Sequence, residues 1–122
     1  MGEGVVSPQP EAADLDIKAF TATPKINISA RKPKPVKFIL TVGNRGNAAG
    51  SATAVLVGVQ NGNVVYSQTL TVTAPRKGKK TKVLFPEYRP DAAGDIVWTV
   101  TVDGDIPDTA TATTKVISNT KP

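Results

Sequence analysis

VKFILTVGNRGNAAGSA, residues 36–52, alternates and then stops alternating. Its first half sets Val36, Phe38, Leu40 and Val42 at every second position, the period of a pleated strand with one face turned to a core. Its second half places three glycines, two asparagines and a lone arginine before the next apolar run. Two readings compete for that second half: a glycine-rich cradle for an anion, or a corner between strands. A phosphate cradle needs converging backbone N–H groups, usually at a helix N-terminus, with a Lys and a Ser/Thr nearby. Here TAVLVGV (53–59) follows, which is strand-like, and no GxxxxGK[ST] is present. GNRG (43–46) has the bare GxxG spacing of a KH-type clamp, but that module requires flanking helices. The corner reading is preferred, with the glycines and asparagines expected to supply positive φ.

Outward from this stretch the same period recurs. DLDIKAF (14–20) turns Leu15 and Ile17 inward and Asp14, Asp16 and Lys18 outward, and a short piece around Ile26 and Ile28 follows Pro24. The 53–59 run is too continuously apolar to assign its faces. Asn61-Gly62 between apolar runs signals a type I′ hairpin, and the return strand covers 64–72. KKTKVLF (79–85) turns Val83 and Phe85 inward, and PEYRPDAAG (86–94) forms a longer crossing. DIVWTVTV (95–102) aligns Ile96, Trp98, Val100 and Val102, and TATATTKVI (109–117) reads as a closing edge strand. Only Glu11 to Asp16 hints at helix. The pattern predicts an all-β fold, a seven-stranded antiparallel immunoglobulin/fibronectin-III-like β-sandwich. One sheet should hold strands 14–20, 35–42 and 79–85, and the other 64–72, 53–59, 95–102 and 109–117. Residues 13–117 form the single domain, with 1–12 a disordered N-terminal linker and 118–122 a C-terminal tail.

Composition excludes whole classes of chemistry. The 122 residues contain neither cysteine nor histidine. Disulfides, thiolate zinc sites, and Ser-His-Asp or Cys-His machinery are therefore ruled out. The visible acids fall in turns and tails rather than paired in a cleft, so an enzyme is not expected, and no cofactor is expected either. No apolar run approaches the roughly 18 residues that span a bilayer, and the opening MGEGVVSPQPEAADLD lacks a signal-peptide pattern. The expectation is a soluble monomer without membrane insertion.

The net charge of +5 is unevenly spread. Residues 1–16 hold four acids and no base, 17–89 hold thirteen bases and one acid, and 90–122 hold five acids and two bases. Two basic runs stand out: Arg31, Lys32, Lys34 and Lys37; and Arg76, Lys77, Lys79, Lys80 and Lys82. The second is the candidate site for a polyanion or acidic glycan, whose binding would weaken steeply with salt. Set against it is a solvated turn whose lysines guard a strand edge. No aromatic residue interleaves either run, so specific nucleic-acid binding is not expected. Asp103, Asp105 and Asp108 could supply oxygens to calcium, although position 12 of an EF-hand counted from Asp103 is Thr114; an Asp-Gly turn pairing with Arg45, Arg76 or Lys77 is the other reading. Trp98 reads as core, Tyr66 and Tyr88 as exposed, and Asn27-Ile28-Ser29 as a sequon by spelling alone.

The opening stretch also resembles the CARDB domain (cell adhesion related domain found in bacteria). Val42, Asn44, Gly46 and Ala49 match that family's strand-to-corner signature. Ala13-Asp14-Leu15 is similar to its opening strand, Asn61-Gly62 to its hairpin, and Gly94, Ile96 and Val102-Asp103 to its penultimate strand. The resemblance covers about residues 13–117. It departs at the Lys-Pro run before Val36 and after Asp108, where an acidic, Asn-rich ending is missing. What the resemblance implies is a non-catalytic, extracellular or cell-surface module of a larger protein, serving as spacer or adhesion domain through contacts with other protein domains.

Overall fold

The computed structural model describes residues 14–46, 48–75, 80–103 and 107–118. The expected linker at 1–12 and most of the expected tail lie outside these residues. Eight strands follow one another: β1 (Leu15–Ala22), β2 (Lys25–Asn27), β3 (Phe38–Asn44), β4 (Gly50–Gln60), β5 (Asn63–Ala74), β6 (Lys80–Val83), β7 (Gly94–Asp103) and β8 (Asp108–Ile117). They form a three-stranded sheet, β1-β3-β6, and a five-stranded sheet, β2-β8-β7-β4-β5.

The seven strands expected from alternation fall into the two sheets as expected, but the described residues form eight and the pairing is not wholly antiparallel. The added strand, β2, runs parallel to the end of β8, with Ile26 opposite Val116. Three residues are too few to show a period, and β2 owes its existence to a neighbour distant in sequence. The chain leaves the first sheet at Ala22, and the Thr23 and Pro24 carbonyls accept bonds from Thr114 Oγ1 and Lys115 N. Pro24 lacks an N–H to give to a ladder, which suits a position between sheets.

The inward residues of both sheets close one core. Val36, Phe38, Leu40 and Val42 are buried from β3 and its approach, and Ile96, Trp98, Val100 and Val102 from β7. Strand β4, whose faces the sequence left open, turns Ala52, Ala54, Leu56 and Gln60 inward. Buried Gln60 is satisfied because its amide donates to the Ala92 and Gly94 carbonyls. An aromatic cluster fills one end. Trp98 meets Phe38 at 4.6 Å and Tyr66 at 5.4 Å between ring centroids, both edge-on. Such contacts contribute about 0.5–1.5 kcal/mol each beyond their buried area.

Gly58 makes this cluster possible. It lies beside Trp98 in the ladder, and a Cβ there would clash with the indole ring. The indole N–H donates to Thr114 Oγ1 at 2.8 Å, and that hydroxyl in turn donates to the Thr23 carbonyl at 2.6 Å. One buried polar chain thus ties β7, β8 and the β1–β2 crossing together. Trp98 is core, as expected. Tyr66 is not exposed as expected: only 7% of it reaches solvent, and its hydroxyl donates to the Pro86 carbonyl at 2.7 Å. Burial pushes its pKa up to about 12. Tyr88 is half-buried against the same rings, its pKa raised by burial and then by Asp91.

Candidate functional site

The β3–β4 corner is built around one side chain. Asn44 is 4% exposed and makes four hydrogen bonds. Its Oδ1 accepts from the Asp14 and Gly46 amides at 3.0 and 2.8 Å. Its Nδ2 donates to the Ala48 and Pro75 carbonyls at 2.8 and 3.0 Å. A neutral amide is the side chain that can give two protons and accept two at once. Asn44 therefore fastens the start of β1, its own corner and the end of β5 at one end of the sandwich.

The expected mechanism for this corner is corrected in part. Among the described residues positive φ is found at Asn61, Gly62 and Gly94, and neither Gly43 nor Asn44 adopts it. Asn47 lies outside the described residues. Gly43 instead leaves room: a Cβ there would meet Lys18 Cε at 2.5 Å and Asp16 Oδ1 at 3.1 Å. Over that floor Asp16 lies largely buried, its Oδ2 3.0 Å from Lys18 Nζ. Arg45 Nε stands 3.3 Å from Asp14 Oδ2 and 4.0 Å from Asp16 Oδ2. Two carboxylates and two cations thus neutralise one another beside the corner. Arg45 is expected to meet the aspartates between β7 and β8; it pairs instead with Asp14, just before β1, and with Asp16 of β1.

The calcium candidates are dispersed in role. Asp105 lies outside the described residues, and Asp103 ends β7 exposed. Asp108 spends both oxygens on backbone: Oδ2 accepts from Ile17 N at 2.9 Å and Oδ1 from Thr109 N at 3.0 Å. It joins the start of β8 to β1, a contact no sequence pattern signals. Among the described residues no group of three or more acids lies close enough together to hold a metal ion.

Of the basic candidates, Arg76, Lys77 and Lys79 lie outside the described residues. Lys80 and Lys82 are exposed on β6, opposite Gly43 and Thr41, so both leave the outer face of the three-stranded sheet. The other basic run borders a shallow pocket lined by Lys25, Ile26, Asn27, Ala30, Lys32 and Lys34. Asn27 of the sequon is half-buried, and its Oδ1 accepts from the Ser29 amide. A second shallow pocket lies beside exposed Ile39 and Leu84, between Lys37 and Glu87, which pair at 3.8 Å. No helix of the described residues is long and apolar enough to cross a membrane.

Comparison with known proteins supports the architecture. No family model matches the sequence. No curated protein matches it either. Among solved structures, a crystal structure of a CARDB domain from Pyrococcus furiosus, in complex with di-metal ions, superposes with a TM-score of 0.63. It is 18% identical over 92% of this chain and 100% of the other. At that identity the likeness concerns the fold. The resemblance first carried by Val42, Asn44, Gly46 and Ala49 therefore holds at the level of architecture: this chain has the fold of a CARDB domain.

Proposed function

We propose that this chain is a non-catalytic β-sandwich module that spaces and presents contacts for other protein domains within a larger extracellular or cell-surface protein. One observation carries the reading: the path of the chain through the sandwich. The start of β1 is bonded to the start of β8 through Ile17 and Asp108, whereas the end of β8 lies beside β2 at the other end. The domain is thus entered at one end and left at the opposite end. Ten residues of β8 at 3.3–3.4 Å each separate the two ends by about 33 Å. Copies or neighbours joined to such a unit extend in line.

The immunoglobulin-like sandwich and the CARDB likeness agree with this role, as does the lack of histidine and cysteine. The di-metal ions belong to the Pyrococcus structure. Asp14, Asp16 and Asp108 do not fit such a pair, because Asp14 and Asp16 carry Arg45 and Lys18, and Asp108 is committed to backbone amides.

Tandem copies measured by small-angle X-ray scattering test the reading. Each added copy should lengthen the maximum dimension by about 30–35 Å; copies that fold back into a compact particle would refute it. Surface location is tested in the source cells, where antibody against the domain should label intact cells. A second reading, binding of an acidic glycan or other polyanion, rests on Lys80 and Lys82 leaving one face together. It predicts heparin retention at low salt that Lys80→Glu with Lys82→Glu abolishes; passage of the unaltered protein straight through the column would refute it.

A further inference from the structure

Among the described residues the sandwich has four outer strands, and three of them are blunted against pairing. On β1 the register slips between Ile17 and Ala19, where Lys18 is the extra residue and binds Asp16. Strand β6 is four residues long and exposes Lys80 and Lys82. Strand β2 is three residues long, follows Pro24 and begins with Lys25. Short length, bulges and lysines are the devices by which sheets avoid joining edge to edge.

Strand β5 has almost none of them. Its twelve residues, NVVYSQTLTVTA, contain no charge, no proline and no glycine. Its irregularity lies near the hairpin tip, opposite Gly58 and Val59. From Tyr66 to Ala74 every residue keeps step with β4, and β5 ends the sheet order, so among the described residues no strand lies on its other side. A long, regular edge of high β-propensity and no charge is a template for another strand.

We propose that β5 is a homotypic docking edge, to which a second copy of this chain adds its own β5 antiparallel, joining two five-stranded sheets into one. The partner is a second copy because the strand matches itself. Residues Tyr66–Ala74 are centred on Leu70, so a two-fold axis there keeps every side chain on its own face. Thr69 then faces the partner's Thr71, and Ser67 faces the partner's Thr73, all on the exposed outer face. Half-buried Leu70 meets the partner's Leu70 at the rim of the core. Because β5 carries no charge, such self-pairing sets no like charges opposite one another, and a charged peptide finds nothing to select it. On this proposal the chain is in a monomer–dimer equilibrium, where the sequence leads one to expect a monomer. A contact of one strand edge is small, so it is weak in isolation and is strengthened when modules occur in several copies. The inference stands on the strand edge alone and does not need the spacer reading.

Sedimentation velocity from 10 μM to 1 mM, chosen as about the range of weak contacts, tests it. The unaltered protein should shift from monomer toward dimer. Thr69→Lys with Thr71→Lys, and separately Thr69→Glu with Thr71→Glu, should each weaken dimerisation at least ten-fold while keeping the unaltered melting temperature. An equimolar mixture of the two variants should restore a 1:1 dimer, which a variant that merely misfolds would not do. Lys80→Glu with Lys82→Glu, on β6, should leave association unchanged. A protein that stays monomeric at 1 mM, a dimer indifferent to the β5 charges, or one abolished from β6 would overturn the proposal.

Discussion

The β3–β4 corner (43–50) and the β4–β5 hairpin (60–63) are spelled alike, each with asparagine beside glycine, yet they work by opposite means. At the hairpin the backbone does the turning: Asn61 and Gly62 have φ of 52° and 80°, the paired positive values of a type I′ turn. At the corner neither Gly43 nor Asn44 adopts positive φ. There Asn44 holds the bend with four side-chain hydrogen bonds, and Gly43 contributes the absence of a side chain. The same two residue types thus serve once for conformational freedom and once for polar capacity and space. Substitutions that separate these roles make the comparison quantitative.

The largest effect is expected at Asn44. Asn44→Ala removes the partner of two amides and two carbonyls at a buried corner. Each buried group left unpaired costs about 1–3 kcal/mol, reduced where water can enter, so a loss of about 3 kcal/mol is expected in urea unfolding. Asn44→Asp sharpens the point. The carboxylate can still accept from Asp14 N and Gly46 N, but it turns an oxygen toward the Ala48 and Pro75 carbonyls. It should be no better than alanine at neutral pH. An aspartate as stable as the native amide would show that the two donated bonds contribute little.

Gly62→Ala comes next. Nothing lies within 4 Å of the added Cβ, so the cost is conformational alone. An L-residue in the left-handed region costs about 1–2 kcal/mol, partly offset by the lower entropy of the unfolded chain, giving about 1 kcal/mol. Thermal melts should show it. A second alanine change, at Asn44, should add to it without coupling, because the two sites share no partners.

How far the fold could be read in advance follows the same division. Side-chain period is a local property, and it placed Val36 to Val42 and Ile96 to Val102 on the core face and assigned seven strands to two sheets. Asn61-Gly62 was legible because a type I′ turn is defined by two adjacent residues. What could not be read depends on partners far along the chain. Strand β2 exists through β8, Asp108 finds Ile17 ninety-one residues away, and Gly58 is required by the neighbouring Trp98. Tyr66 was misread for a related reason. It precedes a run of exposed serine and threonine, and its burial comes from the Pro86 carbonyl and from rings on β3 and β7. The candidate site residues were the least legible, since a charge run or an aspartate turn shows composition but not which groups meet.

The smallest effect, and the finest separation of space from conformation, is expected at Gly43. Its φ is one that any residue adopts, so alanine brings no backbone strain and relieves the entropy that glycine loses on folding, about 0.5–1 kcal/mol. Against this, the new methyl would meet Lys18 Cε at 2.5 Å and Asp16 Oδ1 at 3.1 Å. The lysine is the flexible partner and can swing away, giving up its 3.0 Å contact with Asp16, a pair of about 0–1 kcal/mol because Lys18 is partly exposed. The two contributions nearly cancel, and Gly43→Ala should change stability by no more than about 0.5 kcal/mol. The mechanism is nonetheless visible in a double-mutant cycle. Lys18→Ala should destabilise the native background in a salt-dependent way, and should do almost nothing once Gly43→Ala has displaced the ammonium. Equal effects of Lys18→Ala in both backgrounds would mean that Gly43 does not make room for the ion pair, and the contrast with the hairpin would then rest on Asn44 alone.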